Sequence, residues 1–239
     1  MFMKILEILD TTQQFFKAKK PFADDIASRE ESRKSMKSDE LSGNSRYQGS
    51  YGSVRLHKKD PHLVRKRGIK PRALLASDGY YAFITDLVEY YKRNGPNPYL
   101  PRIYNIHHVE DSKGRKIYTA DIERLFELDS LNMKELEALF SRVFNQEYRR
   151  TQAPEEDQMA DILKIMIDAM KKAVEHGDFE YHYYPNRPLV ISDEQLIKAL
   201  KFIKSVANEG YWLDIRAPNI MIRRTPYGAQ LVFTDPIGD

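Results

Sequence analysis

Apolar and polar positions change rhythm four times along the chain. Over residues 4–20, Ile5, Leu6, Ile8, Leu9, Phe15 and Phe16 fall loosely on one helical face, which predicts an N-terminal helix within residues 1–23. From Asp24 to Ser45 apolar positions almost vanish, while Ser28, Ser32, Ser35, Ser38, Ser42 and Ser45 alternate with Arg, Lys and Glu. Residues 24–46 cannot bury enough apolar surface to offset the entropy of ordering them, so a flexible segment is expected there.

The rhythm then shortens to strand-like runs. Tyr47 to His57, His62 to Gly68, Arg102 to Val109 and Lys116 to Asp121 are separated by turn chemistry such as Asp60-Pro61 and Ser112-Lys113-Gly114. One helix is expected between the second and third runs. It is capped near Ser77 or Asp78, turns Tyr80, Ile84, Leu87, Val88 and Tyr91 inward, and stops at Asn94-Gly95-Pro96.

After Leu125 the period becomes helical. Leu136, Leu139, Phe140, Val143 and Phe144 follow a capping box of Asn132 and Glu135. A second helix runs through Met159, Ile162, Leu163, Met166, Met170 and Val174 to Gly177. A third starts at Ser192, boxed by Gln195, and runs through Leu196, Leu200, Ile203 and Val206 to Gly210. The Met and Leu stripes read as core. Strands return at Ile220 to Arg223 and Gln230 to Thr234, joined by the turn Thr225-Pro226-Tyr227-Gly228.

Composition narrows the classes open to such a chain. With 239 residues and 41% hydrophobic content it can bury a core as one large domain or a two-lobed one. Charged residues make up 31%, but the net charge is only +3, too balanced to argue for nucleic-acid binding. The absence of cysteine excludes disulfides, thiolate catalysis and Cys-ligated zinc. With no signal-like or membrane-spanning run, a soluble, cytoplasmic protein is expected.

The candidate chemistry lies in the last third. Asp214 and Asn219, in Leu213-Asp214-Ile215-Arg216-Ala217-Pro218-Asn219, stand just before the expected hairpin, and Asp235 stands just after it. A hairpin returns the chain close to where it left, so the three side chains can converge as hard oxygen ligands of the kind Mg²⁺ takes beside phosphates.

This arrangement resembles protein kinases, whose catalytic loop reads Asp, four residues, Asn, followed by a hairpin and a metal-binding Asp. The resemblance extends upstream. Tyr47-Gln48-Gly49-Ser50-Tyr51-Gly52-Ser53-Val54 looks like the kinase glycine-rich loop with its first glycine replaced by Tyr47, and Lys66 stands where the phosphate-holding lysine is expected. The following helix offers Asp86 and Glu89 as acids for Lys66, and the sequence does not choose between them. Ile122-Glu123-Arg124-Leu125 takes the place of the hinge that receives adenine through backbone groups. More narrowly, Asn219-Ile220-Met221 and Thr234-Asp235-Pro236 resemble the early serine/threonine kinases of short-tailed lytic phages, in which Pro also replaces the Phe of Asp-Phe-Gly.

The resemblance, over about residues 47 to 239, implies an α+β, two-lobed kinase-like fold. Residues 47–125 form an antiparallel N-lobe with one helix and the hinge, and residues 126–239 form a reduced, mainly helical C-lobe. It implies ATP and Mg²⁺ as cofactors, ATP contacts from Gly49, Ser50, Tyr51, Gly52, Val54, Lys66, Glu123 and Leu125, and metal contacts from Asn219 and Asp235. Asp214 takes the acceptor proton, and Arg216 stands in for the catalytic-loop lysine. The implied activity is serine/threonine phosphorylation of host proteins such as the transcription machinery, in a host-cell cytoplasm, with autophosphorylation of the serines between Ser28 and Ser53 as one outcome.

Some positions depart from the family pattern. Tyr211-Trp212-Leu213 replaces the usual His and Arg before the catalytic Asp, and only four residues follow Asp235, so no activation segment or late helices are expected. A small-molecule phosphotransferase and a non-catalytic inhibitor of a host protein are the competing readings. The basic run Arg65, Lys66, Arg67, Lys70 and Arg72 reads as a solvated face. His107 and His108 point to opposite faces of a strand, and His176 and His182 read as structural or surface residues.

Overall fold

The computed structural model describes residues 47–48, 52–57, 60–69, 79–110, 116–184 and 187–238. The expected N-terminal helix, the Ser-rich segment and the helix cap at Ser77 or Asp78 lie outside the described residues, as do Gly49, Ser50 and Tyr51.

The first half is a five-stranded antiparallel sheet with a helix packed on it. In chain order, β1 is Tyr47–Gln48, β2 Gly52–Leu56 and β3 Leu63–Ile69; α1 is Gly79–Asn94; β4 is Ile103–Glu110 and β5 Lys116–Glu123. The strands lie side by side as β1-β2-β3-β5-β4, so the two hairpins meet where β3 pairs with β5. Register there sets Val64 opposite Ile122, Lys66 opposite Ala120 and Gly68 opposite Tyr118. Alternation along a strand then gives this set one face and Arg65 and Asp121 the other.

The inner face and α1 join the core. Phe83, Ile84 and Leu87 of α1 are fully buried beside Tyr80, and each contributes roughly 1.5–3 kcal/mol by leaving water. Phe83 belongs to this stripe although the sequence pattern omitted it. The helix ends at Asn94 because Gly95 takes the left-handed conformation (φ 75°).

The outer face corrects the solvated-face expectation at one position. Arg65 is largely buried and holds the carboxylate of buried Asp121 in a fork, Nε to Oδ1 at 2.6 Å and Nη2 to Oδ2 at 3.0 Å.

The second half is mainly helical. After a short 3₁₀ turn at Leu128–Ser130 come α2 (Met133–Phe144), α3 (Glu155–His176), a hairpin of β6 (Glu180–Tyr184) and β7 (Arg187–Val190), and α4 (Glu194–Ala207). The Asn132–Glu135 capping box forms as expected, and Gly177 (φ 75°) closes α3. The start of α4 differs by one residue. Asp193, not Ser192, is the N-cap, and its Oδ1 accepts from the backbone N–H groups of Gln195 and Leu196. Strands β6 and β7 were not expected, since their Tyr-rich sequence carries little period-2 contrast.

The chain closes with β8 (Trp212–Leu213), a 3₁₀ turn at Ala217–Asn219, β9 (Ile220–Thr225), β10 (Gly228–Phe233) and β11 (Ile237–Gly238). Strands β9 and β10 are the expected hairpin, and β11 pairs with β8. The whole is thus α+β, an antiparallel sheet and four helices among the described residues, and is compatible with a small two-lobed fold. A single apolar core runs from α1 through α2, α3 and α4 to β9 and β10.

Candidate functional site

Two short ladders gather the C-terminal residues. In one, Leu213 faces Ile237, and the Asp214 N–H extends the pairing by donating to the Pro236 carbonyl at 2.8 Å. In the other, Ile220 faces Phe233, and the Thr234 N–H donates to the Asn219 carbonyl at 2.9 Å, reinforced by the Thr234 hydroxyl at 3.1 Å. Asp235 lies between the ends of the two ladders, one residue from each. That position follows from pairing alone, because each ladder leaves its flanking residue no slack.

Within the loop, Asn219 Nδ2 donates to both the backbone oxygen and Oδ2 of Asp214, each at 2.8 Å. With the amide nitrogen so used, the Asn219 side-chain oxygen turns elsewhere and accepts no hydrogen bond from the described residues. Arg216 Nε lies 2.8 Å from Asp214 Oδ1, and its side chain is 66% exposed. The alternation of exposure supports this aim: Leu213 and Ile215 pack inward, whereas Trp212 and Arg216 are exposed on either side of half-buried Asp214.

Lys66 arrives from the other half of the molecule. Its Nζ donates to Asp235 Oδ2 at 2.6 Å, across 169 positions of sequence. Below the ammonium lies Tyr80 of α1, its ring centre 3.3 Å from Nζ. The question left open between Asp86 and Glu89 is therefore answered by neither. Glu89 is exposed and pairs with Lys92 at 2.6 Å, and the Asp86 carboxyl is held above the usual range first by burial, then by Glu209 and Glu89.

The remaining candidates divide. Gly52 opens β2, and Val54 stands opposite Lys66 in register, on the same face. Glu123 is buried and its carboxylate is committed to Arg223 of β9. Leu125 is half-buried between bonded neighbours: Arg124 N–H donates to His62 O at 2.7 Å and Phe126 N–H to Ile222 O at 2.9 Å, while the Leu125 N–H has no partner among the described residues. Neither Tyr80 nor the Glu123–Arg223 pair carries a sequence signal of its role.

Asp235 pairs with Lys66, and Asp214 and Asn219 bond to each other on the adjoining loop; oxygens of these kinds suit a hard cation shared with phosphate. Asp235 and Asp214 bring carboxylates, and Asn219 brings an amide oxygen. Among the described residues no group of three or more His, Cys, Asp or Glu is arranged as a metal site by itself, so any such cation would take further ligands from a bound molecule. No helix of the described residues is long and apolar enough to cross a membrane. Neither the protein-family models nor the curated proteins compared with the chain match it.

Proposed function

We propose that this chain is an ATP- and Mg²⁺-dependent serine/threonine protein kinase, of the kind made by lytic phages to modify host proteins. The observation that carries the reading is the meeting of Lys66 with Asp235, 2.6 Å apart, beside the bonded pair Asp214 and Asn219. A lysine on the third strand, a helix after it, and an Asp/Asn loop followed by a hairpin and an Asp are the parts that kinase-type phosphoryl transfer uses.

When bound, ATP with Mg²⁺ supplies the phosphoryl group and much of the charge neutralisation on which the transfer depends. The residues of the chain have distinct tasks. Lys66 would anchor the phosphates, and Asn219 and Asp235 would hold the metal through their side-chain oxygens. Asp214, held by Asn219 on Oδ2, offers Oδ1 to an acceptor hydroxyl, orients it and takes its proton. Arg216 is exposed enough to turn from Asp214 toward the transferring group, where its guanidinium offsets developing negative charge. The backbone of Glu123 and the Leu125 N–H, which has no partner among the described residues, would receive the adenine.

The test is transfer of labelled phosphate. Incubation with γ-labelled ATP and Mg²⁺ labels the protein itself and polypeptides of a bacterial extract, and Asp214→Asn abolishes both. Equal labelling by the variant removes Asp214 from catalysis. ATP turnover that is stimulated only by a small metabolite, with no labelled polypeptide, replaces the protein substrate with a small one.

A further inference from the structure

Neither Asp86 nor Glu89 of α1 pairs with Lys66, whose carboxylate partner among the described residues, Asp235, comes from the other half of the molecule and stands where a phosphate and a metal would draw on it. An unrestrained lysine stem would sample many rotamers, and a phosphate anchor requires one. What α1 does bring is the ring of Tyr80. Its centre lies 3.3 Å from Lys66 Nζ, well within the ~6 Å over which an aromatic quadrupole attracts an ammonium. Tyr80 is buried, which places this attraction toward its stronger, desolvated limit.

The ring is located from two sides. On one side it stacks on Tyr118, with centroids 6.3 Å apart and planes at 25°. Tyr118 in turn fills the space above Gly68, where a Cβ would stand 2.3 Å from the phenol ring. On the other side, Gly79 approaches β11 so closely that a Cβ there would lie 2.8 Å from the Gly238 carbonyl oxygen. Strand β11 begins two residues after Asp235, so this contact ties the start of α1 to the segment that carries the carboxylate partner of Lys66.

We propose that Tyr80 is the positioning residue for Lys66, its ring taking the place of a helix carboxylate, with the Gly79–Gly238 approach and the Tyr118 stack holding that ring. The inference rests on the reading of Lys66 as a phosphate anchor. It has a chemical consequence. A neutral ring holds the ammonium without competing as an anion, so the ammonium stays directed at Asp235 or at a phosphate.

The experiment uses the full chain with ¹³C-labelled lysine, in wild type, Lys66→Ala, Tyr80→Phe and Tyr80→Leu. The Lys66 ε-methylene signal, identified by its loss in Lys66→Ala, is expected upfield of the other lysines through the Tyr80 ring current. It remains upfield in Tyr80→Phe and joins the common lysine position in Tyr80→Leu. Affinity for Mg·ATP, measured by calorimetry, falls about tenfold in Tyr80→Leu and recovers in Tyr80→Phe. A Lys66 signal at the common position in wild type overturns the proposal, whether or not Tyr80→Leu folds. So does a folded Tyr80→Leu with wild-type affinity, or a Tyr80→Phe as weak as Tyr80→Leu. If the wild type binds no ATP, the nucleotide reading falls, while an upfield Lys66 signal lost in Tyr80→Leu still supports Tyr80 as the residue that holds the lysine.

Discussion

Glu123, at the end of β5, and Arg223, in β9, form a two-pronged ion pair that fastens the sheet to the C-terminal hairpin across 100 positions of sequence. Arg223 also donates from Nη1 to the Pro98 carbonyl at 2.6 Å and from Nη2 to the Leu100 carbonyl at 3.1 Å, and Glu123 Oε1 also accepts the Arg102 N–H at 2.8 Å. Both side chains are nearly buried, so each is tolerable only with the other present. Arg223→Met is expected to cost about 3–5 kcal/mol, because it strands a buried carboxylate and two carbonyls. The double substitution Glu123→Met, Arg223→Met recovers part of that loss. Urea denaturation of the two variants checks it, and a double variant no more stable than the single one would contradict the account.

Gly68 should tolerate no side chain. A Cβ there would stand 2.3 Å from the ring of Tyr118, which is 1% exposed and walled in by Tyr80 and Tyr81. Gly68→Ala is expected to destabilise by about 1–3 kcal/mol through overpacking. The combination with Tyr118→Leu relieves much of it, which a comparison of melting temperatures reads directly.

Asp86 gives a pH dependence of opposite sign to that of a salt-bridged acid. Burial, then Glu209 and Glu89, raise its folded pKa above the unfolded value of 3.8. The folded state therefore binds the proton more tightly. The resulting penalty is absent below the unfolded pKa, grows as pH rises from there, and is complete above the folded pKa. Asp86→Asn should raise the urea midpoint at about pH 7 and leave it nearly unchanged at about pH 3, with a gain kept small by solvent screening.

Asp235 joins two roles that can be separated. Its pair with Lys66 is partly exposed, so Asp235→Ala is expected to change the stability of the free protein by less than about 1 kcal/mol. Wild type should gain about 2.7 kcal/mol from ATP with Mg²⁺ at a hundredfold excess over the dissociation constant. Asp235→Ala should lose the Mg²⁺-dependent part of that gain, as thermal shift with and without the metal will show.

Much of the second half could be read in the chain itself. The Asn132–Glu135 capping box, the stop at Gly177 and the β9–β10 hairpin depend on contacts within a few residues, so composition and spacing suffice to specify them. The hairpin also made legible that the Asp214–Asn219 loop adjoins the segment of Asp235, because a hairpin brings its flanks together. The β6–β7 hairpin and the β8–β11 ladder were not legible. A two-residue strand has no period to detect, and β8 and β11 are joined only by a chain that leaves and returns.

The sequence alone thus determined most of the order of strands and helices and that the loop carrying Asp214 and Asn219 adjoins the segment carrying Asp235. It could not determine partners. Lys66, Arg65 and Glu123 are each charged residues on strands, and nothing near them in sequence announces Asp235, Asp121 or Arg223. Those pairings exist only once β3, β5, β9 and the segment between β10 and β11 are brought together and water is excluded. A long charged side chain can reach many acids, and packing, not spacing, leaves it one.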